Sequence, residues 1–416
     1  MLYKRHILNR VLRSLQNNPV VLINGARQVG KSTLIEELIK SGFDAEYLSF
    51  DDSAILFAAS EDAYGLLSSF SGSIVIDEVQ RELNVFVAIK RIVDAQKKNG
   101  QFLLTGSANV LTVPKVSESL AGRMILHTLW PLTQGEIEGR EENFIEWAFE
   151  SEILPRLKQQ LSIQDLCQKI VTGGYPRSLR ASDDIDRIEW MKSYLDTIIQ
   201  RDIRDLSHIE GLKELPNILS VLAERVGNLL NLSDISRMLK INLMSLKRYY
   251  SLLQMVFLVV EAPAWSVNTD KRLAKAPKIY LGDTGIVSYF KRIRADDLLK
   301  DPSSLGAMLE NFVVMELKKQ ATWSPLFPSL YHFRTQAGKE VDIVLEGVGK
   351  KIVGIEVKAS TTVDSRDLAG LRELRGIAKD KFVKGIVLYS GEKSLKLDDS
   401  IYALPINALW EELPLT

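Results

Sequence analysis

Gly25-Ala26-Arg27-Gln28-Val29-Gly30-Lys31-Ser32, followed by Thr33, decides how this chain folds. The run fits the pattern G-x-x-x-x-G-K-[ST] in full. Ahead of it, Val20-Val21-Leu22-Ile23 reads as a buried strand; behind it, Ser32 to Ile39 reads as a helix. A strand, a glycine-rich turn and a helix N-terminus together form an anion cradle. The glycines let backbone N–H groups close around phosphates, and the helix dipole favours negative charge there. The pattern implies a nucleotide, with Lys31 on its β- and γ-phosphates and the Ser32 hydroxyl on Mg²⁺.

Working outward, short β-rich runs alternate with helical stretches as far as about Gln134. The strand candidates are Val20–Ile23, Ala45–Phe50, Ser73–Ile76, Gln101–Thr105 and Ile125–Leu129. Such alternation predicts an α/β domain with a mostly parallel sheet, whose ligands sit at the carboxyl ends of the strands. Ser73-Ile74-Val75-Ile76-Asp77-Glu78 supplies acids at one such end. There Asp77 is placed to hold Mg²⁺ and Glu78 to polarise an attacking water. Phe102 to Asn109 is another apolar run with a polar end, so Thr105, Ser107 or Asn109 is expected to orient that water.

The chain has 416 residues, enough for two or three domains. Its formal net charge is zero, so binding to nucleic acid would need local basic patches rather than a global field. A single cysteine, Cys167, favours a reducing compartment. The start of the chain has no apolar signal region and no run is long enough to cross a bilayer, so a cytoplasmic protein without a membrane partner is expected. The histidines His6, His127, His208 and His332 are scattered and suggest no zinc site.

From Glu136 to Ile209 the pattern is helical, with a long amphipathic stretch from Trp190 to Leu206; this reads as a lid and connector. Leu215 to Pro263 looks like a winged helix-turn-helix. In it, a helix is capped at or near Ser233, and a recognition helix runs from Met244 to Leu253. Phe257–Glu261 and Lys278–Leu281 are the wing strands. Lys247, Arg248, Lys271, Arg272, Lys275 and Lys278 are the candidate contacts to DNA phosphates. In the last third, Glu310 lies on a helix, Asp342 on a strand, and Glu356-Val357-Lys358 on the next strand. Strand alternation puts Glu356 and Lys358 on one face. Carboxylates that hold Mg²⁺ against a phosphodiester, with a lysine for the attacking water, are what a nuclease needs.

The P-loop run, Leu48-Ser49-Phe50-Asp51-Asp52, Ile76 to Arg81, Leu104 to Asn109 and Leu120-Ala121-Gly122-Arg123 resemble the prokaryotic AAA+ ATPases of the archaeal-ATPase type. The resemblance implies ATP and Mg²⁺ as ligands, Ser107 at the polar strand end, and an arginine on the γ-phosphate from the same or a neighbouring copy. Arg123 is the first candidate and Arg201 the second. Gly173-Gly174-Tyr175-Pro176 is similar to the start of this family's lid, with Arg177 a possible phosphate contact. Glu310, Asp342, Glu356 and Lys358 resemble the PD-(D/E)XK nuclease fold, with Val341 where the motif name has proline. Together these imply four parts: an ATPase core over 1–135, a lid over 136–210, a winged helix over 211–290 and a nuclease-like α/β domain over 291–416. The implied activity is ATP hydrolysis coupled to a metal-dependent nuclease-like module on DNA, with homo-oligomers through the ATPase core. The competing reading is an ATP-switched assembly factor that binds DNA or protein and whose nuclease fold is inactive.

Overall fold

The computed structural model describes residues 3–107, 120–204 and 211–415. Asn109, Leu206 and His208 lie outside the described residues, as does the side chain of Lys271. Five parallel strands form the first sheet: β1 (Val20–Asn24), β2 (Ala45–Ser49), β3 (Ser73–Asp77), β4 (Phe102–Gly106) and β5 (Met124–Thr128). Their order is β2-β3-β4-β1-β5. Every residue of β1 is buried, because helices cover both faces of the sheet. Val21 and Ile23 pack with Leu34, Ile35 and Leu38 of the helix Lys31–Lys40. Val20 and Leu22 pack on the opposite face with Ile89 of the helix Val85–Gln96. Burying each of these side chains contributes about 1.5–3 kcal/mol.

The helix that begins at Asp184 is less regular than its sequence suggests. The helix capped by Asp183 spans Asp184–Thr197 and widens into a π-turn over Ile198–Ile203, rather than running unbroken to Leu206. Then come the helices Leu215–Glu224, Leu232–Leu239 and Leu243–Met255 and an antiparallel pair, β6 (Val259–Ala262) and β7 (Lys278–Leu281). Asn231, not Ser233, caps the second helix: its side chain accepts the Asp234 N–H at 3.0 Å.

The last sheet is mixed, with order β12-β13-β11-β10-β9-β8. Its strands are β8 (Ser329–Arg334), β9 (Glu340–Glu346), β10 (Ile352–Lys358), β11 (Phe382–Tyr389), β12 (Leu395–Asp398) and β13 (Ile401–Pro405). The helices Pro302–Gln320 and Ala369–Ala378 pack against it. So does a helix from far upstream, Phe144–Glu150, which lies on β10 and β11. The Lys384 ammonium of β11 donates to Trp147 O at 3.1 Å and also to Ser151 O, and it sits 3.8 Å from the centre of the Trp147 ring. Asn143 and Leu413 exchange two hydrogen bonds of 2.8 and 2.7 Å. One continuous apolar core runs from Ile7 to Leu413.

Candidate functional site: the P-loop pocket and the acidic cluster

Gly25 follows β1 with φ 155°, and a Cβ there would lie 2.1 Å from Leu129 O, so no side chain fits. Gln28 and Gly30 also have positive φ, 61° and 97°, which wraps the loop before the helix starts. The Lys31 ammonium donates to Gly25 O and Ala26 O, both at 3.0 Å. Its side chain is buried, and burial lowers its pKa to about 8 despite the opposing pull of Glu78 and Asp77. Parallel pairing brings the ends of β3 and β4 beside this loop. Asp77 accepts hydrogen bonds from Tyr47 Oη at 2.7 Å, from Ser32 Oγ at 3.3 Å and from Thr105 Oγ1. Ser32 and Asp77 form an oxygen donor set that suits a hard divalent cation. Glu78 adopts φ 57° and accepts from the Gln80 amide, which also donates to Ser107 Oγ at 2.9 Å.

A cavity of about 380 Å³ opens over the P-loop from Arg27 to Thr33. Its other walls include Tyr3, Glu78, Leu132, Pro176 and Arg180. Arg5 grips this region, donating to Val29 O at 2.8 Å and Trp130 O at 2.7 Å. Three contacts from residues 190–202 meet the loop or nearby residues. Trp190 Nε1 donates to Gln28 Oε1 at 3.2 Å, Arg27 pairs with Asp202 at 3.2 Å, and Arg201 reaches Asp51 at 3.4 Å. Burial raises the Asp202 pKa, and Arg27 opposes that rise.

Arg123 does not reach this pocket. Register pairs Val20 with Met124 and Asn24 with Thr128, so Arg123 lies at the opposite end of β1 from the P-loop. That end is about 16 Å away at ~3.3 Å per residue. There it makes a two-pronged pair with Asp94, at 2.6 and 3.0 Å. Arg177 is likewise engaged elsewhere, on Asp186 at 2.8 Å, whereas Arg180, one helical turn on, lines the cavity. Tyr3, Arg5, Arg180 and Asp202 were not singled out in the sequence. Asp202 lies inside a charged stretch that reads as connector, and nothing in the first residues marks a pocket wall.

Glu310, Asp342, Glu356 and Lys358 do converge. Glu356 pairs with Lys358 at 2.9 Å, and Asp342 Oδ2 accepts the Val357 N–H at 3.0 Å. The cation between Glu310 and Asp342, however, is Lys278 of β7, at 2.8 and 3.1 Å. Lys278 therefore faces inward rather than toward DNA. Arg272 is also committed: it makes a two-pronged pair with Glu346 at 3.0 and 2.7 Å and lies against Trp265 and Tyr331. Lys275 donates to Arg334 O at 3.1 Å. The residues as arranged do not fit a divalent metal, because the facing oxygens of Glu310 and Asp342 are both taken by an ammonium. Among the described residues, no group of three or more His, Cys, Asp or Glu is arranged to hold a metal ion.

Residues 17–138 match the family model described as AAA domain. This part of the chain is an AAA-type P-loop domain. Beyond the AAA domain, residues 163–297 and 305–409 match two domains of unknown function, DUF8612 and DUF4143. An uncharacterised protein of Mycobacterium tuberculosis is 29% identical over 414 residues, covering 98% of this chain and 85% of that protein. One from Methanocaldococcus jannaschii is 22% identical over 424 residues, covering 98% and 91%. Among solved structures, the Walker-type ATPase of Pyrococcus abyssi aligns with 70% of this chain and 96% of its own, at 15% identity and TM-score 0.44. The RuvB Holliday junction branch migration motor of Thermotoga maritima aligns with 63% and 90%, at 18% identity and TM-score 0.30. No described helix is long and apolar enough to cross a membrane.

Proposed function

We propose that this protein binds and hydrolyses ATP at the AAA domain and uses the nucleotide state to reposition a DNA-binding winged helix. The observation that carries the reading is the group formed by Lys31, Ser32, Asp77, Thr105 and Glu78 around the P-loop, with lid residues Trp190 and Asp202 fastened to the same loop. Mg²⁺, when bound, supplies charge neutralisation on the phosphates. Ser32 and Asp77 would hold it, Lys31 would hold the β- and γ-phosphates, and Glu78 would take the proton of the attacking water. The Gln80 amide bridges Glu78 and Ser107, so a phosphate arriving near Ser107 would reorganise Glu78 as well. Glu78→Gln should bind ATP normally and turn it over about 10²–10⁴-fold more slowly. Steady-state turnover beside a nucleotide-binding titration checks this, and wild-type turnover would move the role to another residue.

Lys31 gives a pH test. Its ammonium must be charged to hold phosphate, and in the free protein it loses its proton at about pH 8. Binding above that pH requires proton uptake, so ATP affinity should fall by up to about tenfold per pH unit as pH rises beyond 8. A calorimetric titration between pH 7 and pH 9.5, in buffers of different ionisation enthalpy, reads both the affinity and the proton count. A flat affinity with no proton uptake would remove Lys31 from the phosphate contact.

Support for the DNA part comes from the helices Leu232–Leu239 and Leu243–Met255 with the β6–β7 pair, the element order of a winged helix. Arg237, Lys240, Lys247 and Arg248 lie exposed on or beside these helices. With Arg272 and Lys278 committed to internal pairs, this helical face carries the contact. Changing Lys247 and Arg248 together to Ala should weaken duplex binding and flatten its salt slope by about two phosphate contacts. Unchanged affinity across a salt series would instead favour a protein partner for this face.

A further inference from the structure

The acidic cluster of the C-terminal sheet already has a cation, and it comes from this chain. Lys278 enters from β7 with a side chain that is 5% exposed. Its Nζ is 2.8 Å from Glu310 Oε1 on the helix Pro302–Gln320 and 3.1 Å from Asp342 Oδ1 on β9. The Tyr280 hydroxyl donates to the same Glu310 oxygen at 2.7 Å, and the second Asp342 oxygen is held by the Val357 N–H. On the far side, Glu356 Oε1 is paired with Lys358, while Glu356 Oε2 is buried and has no hydrogen-bond partner. A divalent ion shared by Glu310 and Asp342 would need an oxygen from each at about 2.0–2.6 Å. Those are the two oxygens on which Lys278 donates, and an ammonium left beside the ion would repel it.

We propose that Lys278 is the resident cation of the Glu310–Asp342–Glu356 cluster and takes the place that a divalent metal holds in a working nuclease. The cluster is thereby a clamp. It joins β7 to the last sheet and its helix by a buried ion pair. The orphaned Glu356 oxygen marks the coordination that the site retains and that Lys278 alone does not use. Removing the ammonium while keeping a side chain of similar length therefore converts the cluster into a metal site.

Mn²⁺ binding to the full-length, nucleotide-free protein tests this by electron paramagnetic resonance, with Asp342→Asn reporting which ions belong to the cluster. Wild type and Asp342→Asn should give the same Mn²⁺ titration up to millimolar metal. Lys278→Met should gain one Mn²⁺ per chain, and the Lys278→Met/Asp342→Asn double variant should lose it. A wild-type Mn²⁺ site that Asp342→Asn removes would overturn the proposal, as would a folded Lys278→Met that gains none. Should Lys278→Met fail to fold, wild type against Asp342→Asn still decides, because a metal-holding cluster must show a site that the asparagine abolishes.

Discussion

Lys31→Met should abolish ATP turnover, by at least about 10³-fold, without lowering the melting temperature. The catalytic loss follows from removing the one ammonium that the P-loop closes around: phosphoryl transfer depends almost wholly on positioning and charge stabilisation. Retained stability follows from the same geometry. Burial depresses the Lys31 pKa to about 8, so its charged form is disfavoured in the folded protein. At neutral pH that costs on the order of 3 kcal/mol, which an apolar side chain of similar length does not incur. The sign is consistent: a base whose folded pKa is depressed costs stability below that value, and the cost fades as pH rises toward its unfolded pKa. The expected melting temperature is unchanged or a few degrees higher. Normal turnover would remove the P-loop from catalysis, and a lowered melting point would show that the lysine holds the loop together.

Asp283→Ala should cost about 2–5 kcal/mol of stability and lower ATP turnover from a distance. Asp283 is buried at the end of β7, where its two oxygens accept the Gly174 and Gly285 N–H groups, each at 2.8 Å. The Gly173–Gly174 turn is moulded to it: a Cβ on Gly173 would lie 1.9 Å from Asp283 Oδ1. Removing the carboxylate leaves two buried donors without partners, each worth about 1–3 kcal/mol. Gly174 leads directly to Pro176 and Arg180 on the cavity wall, so the loosened turn should weaken nucleotide binding too. Asp283→Asn keeps one acceptor and should fall about halfway. Denaturant unfolding with and without ATP reads both effects. An Asp283→Ala protein within about 0.5 kcal/mol of wild type would mean that the turn is held elsewhere.

The P-loop, Asp77, Thr105 and Ser107 were legible because each lies at or next to the polar end of a short continuous apolar run, which reads as a strand buried on both faces. The convergence of Glu310, Asp342 and Glu356 was legible from the order of helix and strands. Lys278 was not. On a short strand rich in neighbouring cations, a lysine that turns inward to two carboxylates has the same local pattern as one that turns outward to phosphate. What decides it is the position of residues 32 and 64 places further on, which only the tertiary packing supplies. Arg123 lies away from its own chain's pocket for a related reason. Its motif placed it beside β5, but sheet register put the near end of β5 away from the nucleotide pocket. Arg27, within the P-loop itself, turned out to be tethered to Asp202, a partner hidden in a charged run where every residue looks solvated.

The helix Phe144–Glu150 belongs in sequence to the stretch just after the AAA domain and in space to the last sheet, where Lys384 binds it from 237 positions away. The modules are therefore interleaved rather than strung in a row. A hybrid that grafts residues 291–416 onto another ATPase would leave Trp147, Ser151 and Asn143 behind. It would present a buried lysine and a bare apolar sheet face to water. A workable exchange of parts must carry residues 143–151 along with the C-terminal end, so the transferable unit has two pieces.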